Sequence, residues 1–314
     1  LSELASFMKQ PARFFFRRRL GVIFGEAEVI GEDEEPFALD ALDRYFLEDS
    51  LLDDSGSVEE QDEVRAVLTT RAERLAREGV LPIGLVGRQW QAQLVDGLVP
   101  VRSAWLKLGA RFPRAAPKLA VRLEFGGVAD PVVLEDWIDR LRSDGQQTAW
   151  LMQISSKVLD KSGRPRGDKL IGPWLRQLAA SAAGGASPGI TGYLVARDAV
   201  VTMAPLEPGD AFATLAYIVA LWRRNLDAPL AVACKTALAL LAEGDPRTVY
   251  DGGFELSGEV ETEPCLARLW PDFAALASSG DWPELAVDLY GGLADWLAGQ
   301  ITVTPHAADA GESA

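Results

Sequence analysis

This chain carries one histidine in 314 residues, and only two cysteines. The histidine, His306, stands in a polar tail of Thr, Pro, Ala and Asp. A His-based triad or His-rich metal centre would have to recruit it from a segment with no apparent packing partner. Cys234 and Cys265 lack C-x-x-C spacing, so a zinc site, an iron–sulfur cluster and a disulfide framework are unsupported. No apolar run approaches the roughly 18 to 20 residues that a membrane span needs. The longest, Ala211 to Trp222, is bounded by Asp210 and Arg223-Arg224. No secretory leader is visible, and the chain starts at Leu1 inside a helical pattern, as an excised piece of a longer protein would. The phosphate loop G-x-x-x-x-G-K-[ST] is missing, so the chain is not itself an ATP-driven motor, and the G-x-G-x-x-G fingerprint is missing too. Gly185 to Gly189 matches G-x-S-x-G as a string, but Pro188 has no N–H to offer an oxyanion, and the segment reads as a loop.

What is present is acid, unevenly placed. The net charge is −15, from 46 acidic and 31 basic residues, which argues against a surface that coats nucleic acid throughout. Lys9, Arg13, Arg17, Arg18 and Arg19 make a basic opening, and Glu26 to Glu63 is strongly acidic. Lys157, Lys161, Arg164, Arg166 and Lys169 then make a second basic stretch. Opposed local charge suits a subunit that meets both proteins and nucleic acid. Glu32, Asp33, Glu34 and Glu35 precede a helix and are candidates for a protein interface, against the plainer reading of a solvated loop at a helix N-terminus.

The apolar content of 48% is ample for a core. The first third reads as helical. Leu39, Leu42 and Phe46 share a face after Pro36. A second helix has Ser57 and Glu60 as a capping box and Val64, Val67, Leu68, Ala72 and Leu75 as its stripe, stopping at Gly79. A third holds Val86, Trp90 and Leu94. The period then changes to two at Leu119, Val121, Leu123 and Phe125. Gly126-Gly127 turns this strand into a second, Val132 to Arg140, and the turn Arg142 to Gly145 leads into a third, Thr148 to Lys157. A helix from about Leu170 to Ala183 follows, then a hairpin within Tyr193 to Ala204 that turns near Asp198. Helix returns with Phe212, Leu215, Val219 and Trp222 on one face, and Leu285, Leu289, Leu293 and Trp296 on another. These tryptophans read as core. The expected class is α/β (α+β) with an antiparallel entry. The expected division is a helical region 1–114 packing on the core, an α/β region with C-terminal helices over 115–303, and a disordered tail over 304–314.

The second strand carries Asp139 and the third Ser155-Ser156-Lys157. A metal-dependent nuclease core needs an acid on one strand and acid-x-Lys on the next. The acids hold a divalent cation and the lysine helps polarise the attacking water. Here one acid and the lysine are present, and Ser155 stands where the second acid belongs. Taken alone, Asp139 and Lys157 are ordinary solvated residues. Taken together, they point to a nuclease-like fold that does not cut, with Asp139, Ser155 and Lys157 as vestigial positions, no metal and no cofactor.

The strings PARFFFRRRL, EDEEPFALDALDRYFLEDSLL and EGVLPIG, followed in order by WIDRL, SSKV, RNLDAPL and CLARLW, resemble the gamma chain (RecC) of exodeoxyribonuclease V, the RecBCD helicase–nuclease. The likeness covers most of the chain and corresponds to that subunit's C-terminal region. It implies a restriction-endonuclease-like (PD-(D/E)XK-type) core with a degenerate active site, flanked by N-terminal and C-terminal helices. Asp139 then falls at the first metal-binding acid, Ser155 replaces the second, and Lys157 matches the lysine. The histidine expected on an earlier helix, near Arg88 to Trp90, is absent, and PWLRQLAASA lacks Gln-x-x-x-Tyr. The resemblance also implies a cytoplasmic complex with RecB-type (beta) and RecD-type (alpha) motor subunits, no membrane, and a non-catalytic part in assembly and in splitting or guiding DNA during double-strand-break repair. Lys157, Lys161, Arg164, Arg166 and Lys169 are the DNA-contact candidates. Two alternatives remain at this point: an active magnesium nuclease in which Glu135 or Asp136 supplies the missing acid, and a pure protein-interaction adaptor.

Overall fold

In a computed structural model of the chain, alternation in the middle third gives the expected hairpin. β2 (Leu119–Phe125) and β3 (Val132–Ile138) pair antiparallel from Leu119↔Ile138 to Phe125↔Val132, burying Val121, Leu123, Phe125, Leu134 and Ile138 on one face. The structure describes residues 1–24, 41–52, 63–82, 84–127, 130–184, 189–253 and 256–306, with side chains from residue 44 in the second of these segments. Leu39, Ser57, Glu60 and the interface candidates Glu32, Asp33, Glu34 and Glu35 lie outside them.

Preceding the hairpin are α1 (Ser2–Lys9), α2 (Pro11–Phe15) running into a π-helical turn Phe16–Leu20, α3 (Ala41–Leu52), α4 (Val64–Arg77), α5 (Gly84–Arg111) and the two-residue β1 (Arg114–Ala115). After it come β4 (Leu141–Ser143), β5 (Thr148–Gln153), α6 (Gly167–Ala183), β6 (Thr191–Val195), β7 (Ala199–Met203), α7 (Pro208–Asp227) and α8 (Cys234–Leu241). Short pieces follow: α9 (Pro246–Asp251), β8 (Gly252–Gly253), β9 (Leu256–Ser257), α10 (Glu259–Thr262), α11 (Pro264–Leu269) and α12 (Phe273–Ala277). α13 (Glu284–Gly299) and β10 (Ile301–Pro305) close the described chain.

The strands do not form the continuous antiparallel entry that the sequence suggests. β2 and β3 make a separate two-stranded sheet, and the central sheet runs β1-β4-β5-β6-β7-β10. The expected strand Val132 to Arg140 is broken because Arg140 adopts a left-handed φ of 53°, which turns the chain out of the hairpin before it re-enters as β4. The turn itself closes at Asp144 to Gln147, where the Asp144 carboxylate accepts both Gln146 N–H and Gln147 N–H. The third expected strand is also shorter: β5 ends at Gln153 and the chain bends at Ser155-Ser156. β5 and β6 are parallel, with α6 as the crossover, while the other pairs of the central sheet are antiparallel.

α6 lies on one face of this sheet. Its Leu170, Ile171, Trp174, Leu175 and Leu178 join Trp150, Leu194 and Val201 in the main core. α13 contributes Leu285, Leu289, Leu293 and Trp296, all buried as the spacing predicts. The N-terminal helices belong to this core too: Phe7, Met8 and Phe14 are within it, and Tyr290 Oη donates to Met8 O at 2.5 Å. A second core forms between α3, α4 and α5, with Leu47, Leu51, Val64, Leu68, Leu94 and Leu98, and reaches the sheet through Val195. The buried face of α3 is Leu47 and Leu51, whereas Phe46 is 60% exposed, so the apolar face read from the sequence is rotated.

The tail is the other correction. Thr304 and Pro305 are not disordered; they pair with Val200 and Ala199 as the last residues of β10. Alternating Ile301, Thr302, Val303 and Thr304 suit a strand, and β7 would otherwise present an unpaired edge. His306 is tied down beyond it, its N–H donating to Asp198 O at 3.0 Å and its Nε2 lying 2.8 Å from Ala196 O.

Candidate functional site

Asp139 sits between β3 and β4, two residues before Leu141, on the side of the sheet that α6 covers. Arg176 of α6 reaches it there. One guanidinium nitrogen donates both to the Asp139 carboxylate and, at 2.6 Å, to its own backbone carbonyl. The guanidinium is only 15% exposed and packs over the Trp150 ring, 5.3 Å from its centroid. Partial burial pushes the Asp139 carboxyl up, but the hydrogen bond and charge of Arg176, with the charge of Arg140, outweigh it and hold the group below the ordinary aspartate range.

Ser155, beyond the end of β5, is 1% exposed, and its Oγ has no hydrogen-bond partner among the described residues. Lys157, two residues on, is exposed. Among the described residues no group of three or more His, Cys, Asp or Glu side chains is placed to hold a metal ion. The donors at hand do not suit a divalent cation: the available carboxylate is already paired with a guanidinium, and the replacement oxygen is a buried hydroxyl. The two substitute acids are also engaged. Glu135 faces outward and pairs with Arg122, and Asp136 accepts Trp137 N–H at 2.7 Å.

Gln177, next to Arg176 on α6, is fully buried and structural. It accepts from Trp150 Nε1 at 2.8 Å and donates to Ile190 O and Ala204 O. The residue four places on is Ser181, whose Oγ receives Leu206 N–H at 3.1 Å.

The second basic stretch forms a built turn. Asp160 accepts Ser162 N–H, Ser162 Oγ–H and Arg164 N–H, which holds its carboxyl down at about 2. Leu159 bridges Pro165, and the Asp198 carboxylate anchors the base by accepting Val158 N–H at 2.9 Å and Leu159 N–H at 3.0 Å. The five candidate cations therefore separate. Lys157 and Lys161 are exposed and make no ion pair with a described residue. Arg164 leans on Asp160 and Ser162, and Arg166 pairs with Asp168 at 2.9 Å. Lys169 points elsewhere, into a cavity of about 270 Å³ that it shares with Lys9 and Lys235.

A further set of cations was passed over in the sequence. Between Asp96 and Glu124 there is no acid, yet Arg102, Lys107, Arg111, Arg114, Lys118 and Arg122 all fall there. Their spacing across a helix end, a two-residue strand and a proline-flanked loop hid them, because no single window is dense in charge. In a chain of net charge −15 an acid-free run of this length was the available signal.

A mixed α/β domain with one neutralised acid, no assembled metal site among its described residues and segregated basic surfaces is the class these features define. The family model of the RecC C-terminal domain matches residues 1–245, and the chain belongs to that family. It is 27% identical over 262 residues to the RecBCD enzyme subunit RecC of Escherichia coli (strain K12), a match covering 80% of this chain and 19% of that protein. It is 25% identical over 216 residues to the RecBCD enzyme subunit RecC of Haemophilus influenzae (strain ATCC 51907 / DSM 11121 / KW20 / Rd), covering 68% of this chain and 17% of that protein. The chain thus corresponds to about a fifth of the length of these relatives.

Proposed function

We propose that this chain is a non-catalytic, DNA-handling domain of a RecBCD-type helicase–nuclease, built on a restriction-endonuclease-like core that has lost its metal site. The carrying observation is the Arg176 guanidinium on Asp139. A cation supplied by the fold already satisfies the acid that would recruit magnesium, and displacing it would strand a nearly buried charge. The parallel β5–α6–β6 unit, with Asp139 before it and Lys157 after β5, is the arrangement such a core would leave behind.

The partners under this reading are RecB-type and RecD-type subunits in a cytoplasmic DNA-repair complex, with Glu32 to Glu35 as the proposed protein-facing residues. The turn bearing Lys157, Lys161, Arg164 and Arg166 is the proposed duplex-contacting element. Its exposed cations would neutralise phosphates without reading bases.

The purified chain, incubated with linear single- or double-stranded DNA and Mg²⁺ or Mn²⁺, should leave it intact. Divalent-dependent cleavage that disappears in Asp139→Ala would overturn the non-catalytic assignment. Replacing Lys161, Arg164 and Arg166 with alanine should lower the duplex-end affinity of the assembled complex and flatten its salt dependence. Unchanged affinity and slope would make the turn bystander surface.

A further inference from the structure

Lys118 of the acid-free run meets Arg140 and Arg142, from the chain around the start of β4, at one concavity. On the sheet face opposite α6, a cavity of about 820 Å³ opens between the end of α3, α5, β1 and the β4–β5 pair. Its described lining residues include the cations Lys118, Arg140 and Arg142 and one carboxylate, Asp49. Among the described residues none of the three cations makes an ion pair, and Lys118 and Arg140 are exposed. Arg114 adjoins it on β1, beside Ala115 of the lining, and Arg111 stands at the end of α5 over the Phe112 and Tyr193 rings at 5.0 and 5.6 Å. The lining also holds Phe46, 60% exposed, with Trp105 and Gln153.

Concentrating like charge in an acidic chain costs self-repulsion, which a bound polyanion relieves. An exposed phenylalanine at the mouth of a basic concavity has a second use. Flat apolar rings stack on the unpaired bases of a single strand, while cations track its backbone. A duplex keeps its bases stacked inside and offers such a ring nothing. We propose that this cavity is a binding groove for single-stranded nucleic acid, with Lys118, Arg140 and Arg142 on phosphates and Phe46 against a base. The groove rests on the DNA-handling reading for its setting; its chemistry stands on these residues alone.

The test uses the 314-residue chain and a fluorescein-labelled oligothymidylate, read by anisotropy across a salt series. The Lys118→Ala/Arg140→Ala/Arg142→Ala variant should bind at least tenfold more weakly. Its log–log salt slope should shrink by about 2, since each phosphate contact to a single strand contributes about 0.7. Phe46→Ala should weaken binding about fivefold or more, the scale of one lost stacking contact. The control variant Arg74→Ala/Arg77→Ala, at exposed positions of α4, should bind as the unaltered chain does. Crosslinking of a 4-thiothymidine-bearing strand asks the same of the unaltered chain, with adducts expected on peptides of α3, β4 or the β1–β2 connection. No binding by the unaltered chain, an unchanged triple variant, adducts confined to 157–169, or equal displacement by poly-glutamate would each overturn the groove. The last result would mark an acidic-peptide dock instead. Failure here with DNA left uncut and the complex still assembling spares the non-catalytic reading, whereas cleavage of DNA overturns that reading and not the groove.

Discussion

Arg176 ties three parts of the protein together: the Asp139 carboxylate, the backbone carbonyl of the same residue and the face of Trp150. Because the Asp139 pKa is depressed in the folded chain, the pair contributes stability above the ordinary aspartate pKa and loses it as pH falls through the depressed value. Arg176→Ala should move the Asp139 titration up toward the ordinary range, followed by carboxylate NMR. The stability gap between variant and unaltered chain should narrow as the medium is acidified through that window. A gap that stays constant across it would mean that the guanidinium acts by packing on Trp150 alone. Spacing suggests Ser155 as the place of a missing acid, and the structure shows it to be buried. That Asp139 is occupied was not legible, since nothing in the sequence around Arg176 tells which strand its side chain meets.

At the scale of elements, hairpins were the most legible features. β2–β3 and β6–β7 follow from alternation and from glycine or aspartate at the turns, and the stripe of α13 from a clean helical period. What escaped was decided by tertiary contacts. The break at Arg140 depends on a single left-handed residue of a type that rarely adopts that geometry, and the rotation of α3 on a buried carboxylate. Glu48, 3% exposed, lies between Arg44 at 2.8 Å and Arg197 of the β6–β7 turn, which draws the polar side of α3 inward. The same turn holds the basic loop through Asp198. Asp198→Ala would leave two N–H groups without their carboxylate and should cost about 2 kcal/mol. Hydrogen exchange at Val158 and Leu159 should accelerate beyond that global loss; protection unchanged there would show that the loop holds itself.

Among the described residues, three apolar clusters share one sheet. The largest holds the N-terminal helices, α6, α7, α8 and α13; the smaller core of α3, α4 and α5 reaches β6 at Val195; and a third, of Phe112, Ala149, Leu151 and Tyr193, lies between α5 and the sheet. Leu98→Ala, at a fully buried position of the smaller core, should destabilise by about 3 kcal/mol. Exchange-detected mass spectrometry should then find α4 and α5 opening before α6. Simultaneous loss of protection in all three would mean that the cores unfold as one unit.

The central sheet also ends in two unlike margins. On one side β1 offers only two residues, between Pro113 and Pro117, neither of which has an N–H to donate. On the other, β10 stops at Pro305, and the chain is then pinned to the β6–β7 turn through His306. A foreign strand seeking to lengthen the sheet meets too few free donors at the first margin and a short run closed by proline at the second. Both margins of the central sheet therefore resist edge-to-edge pairing with a strand from another chain.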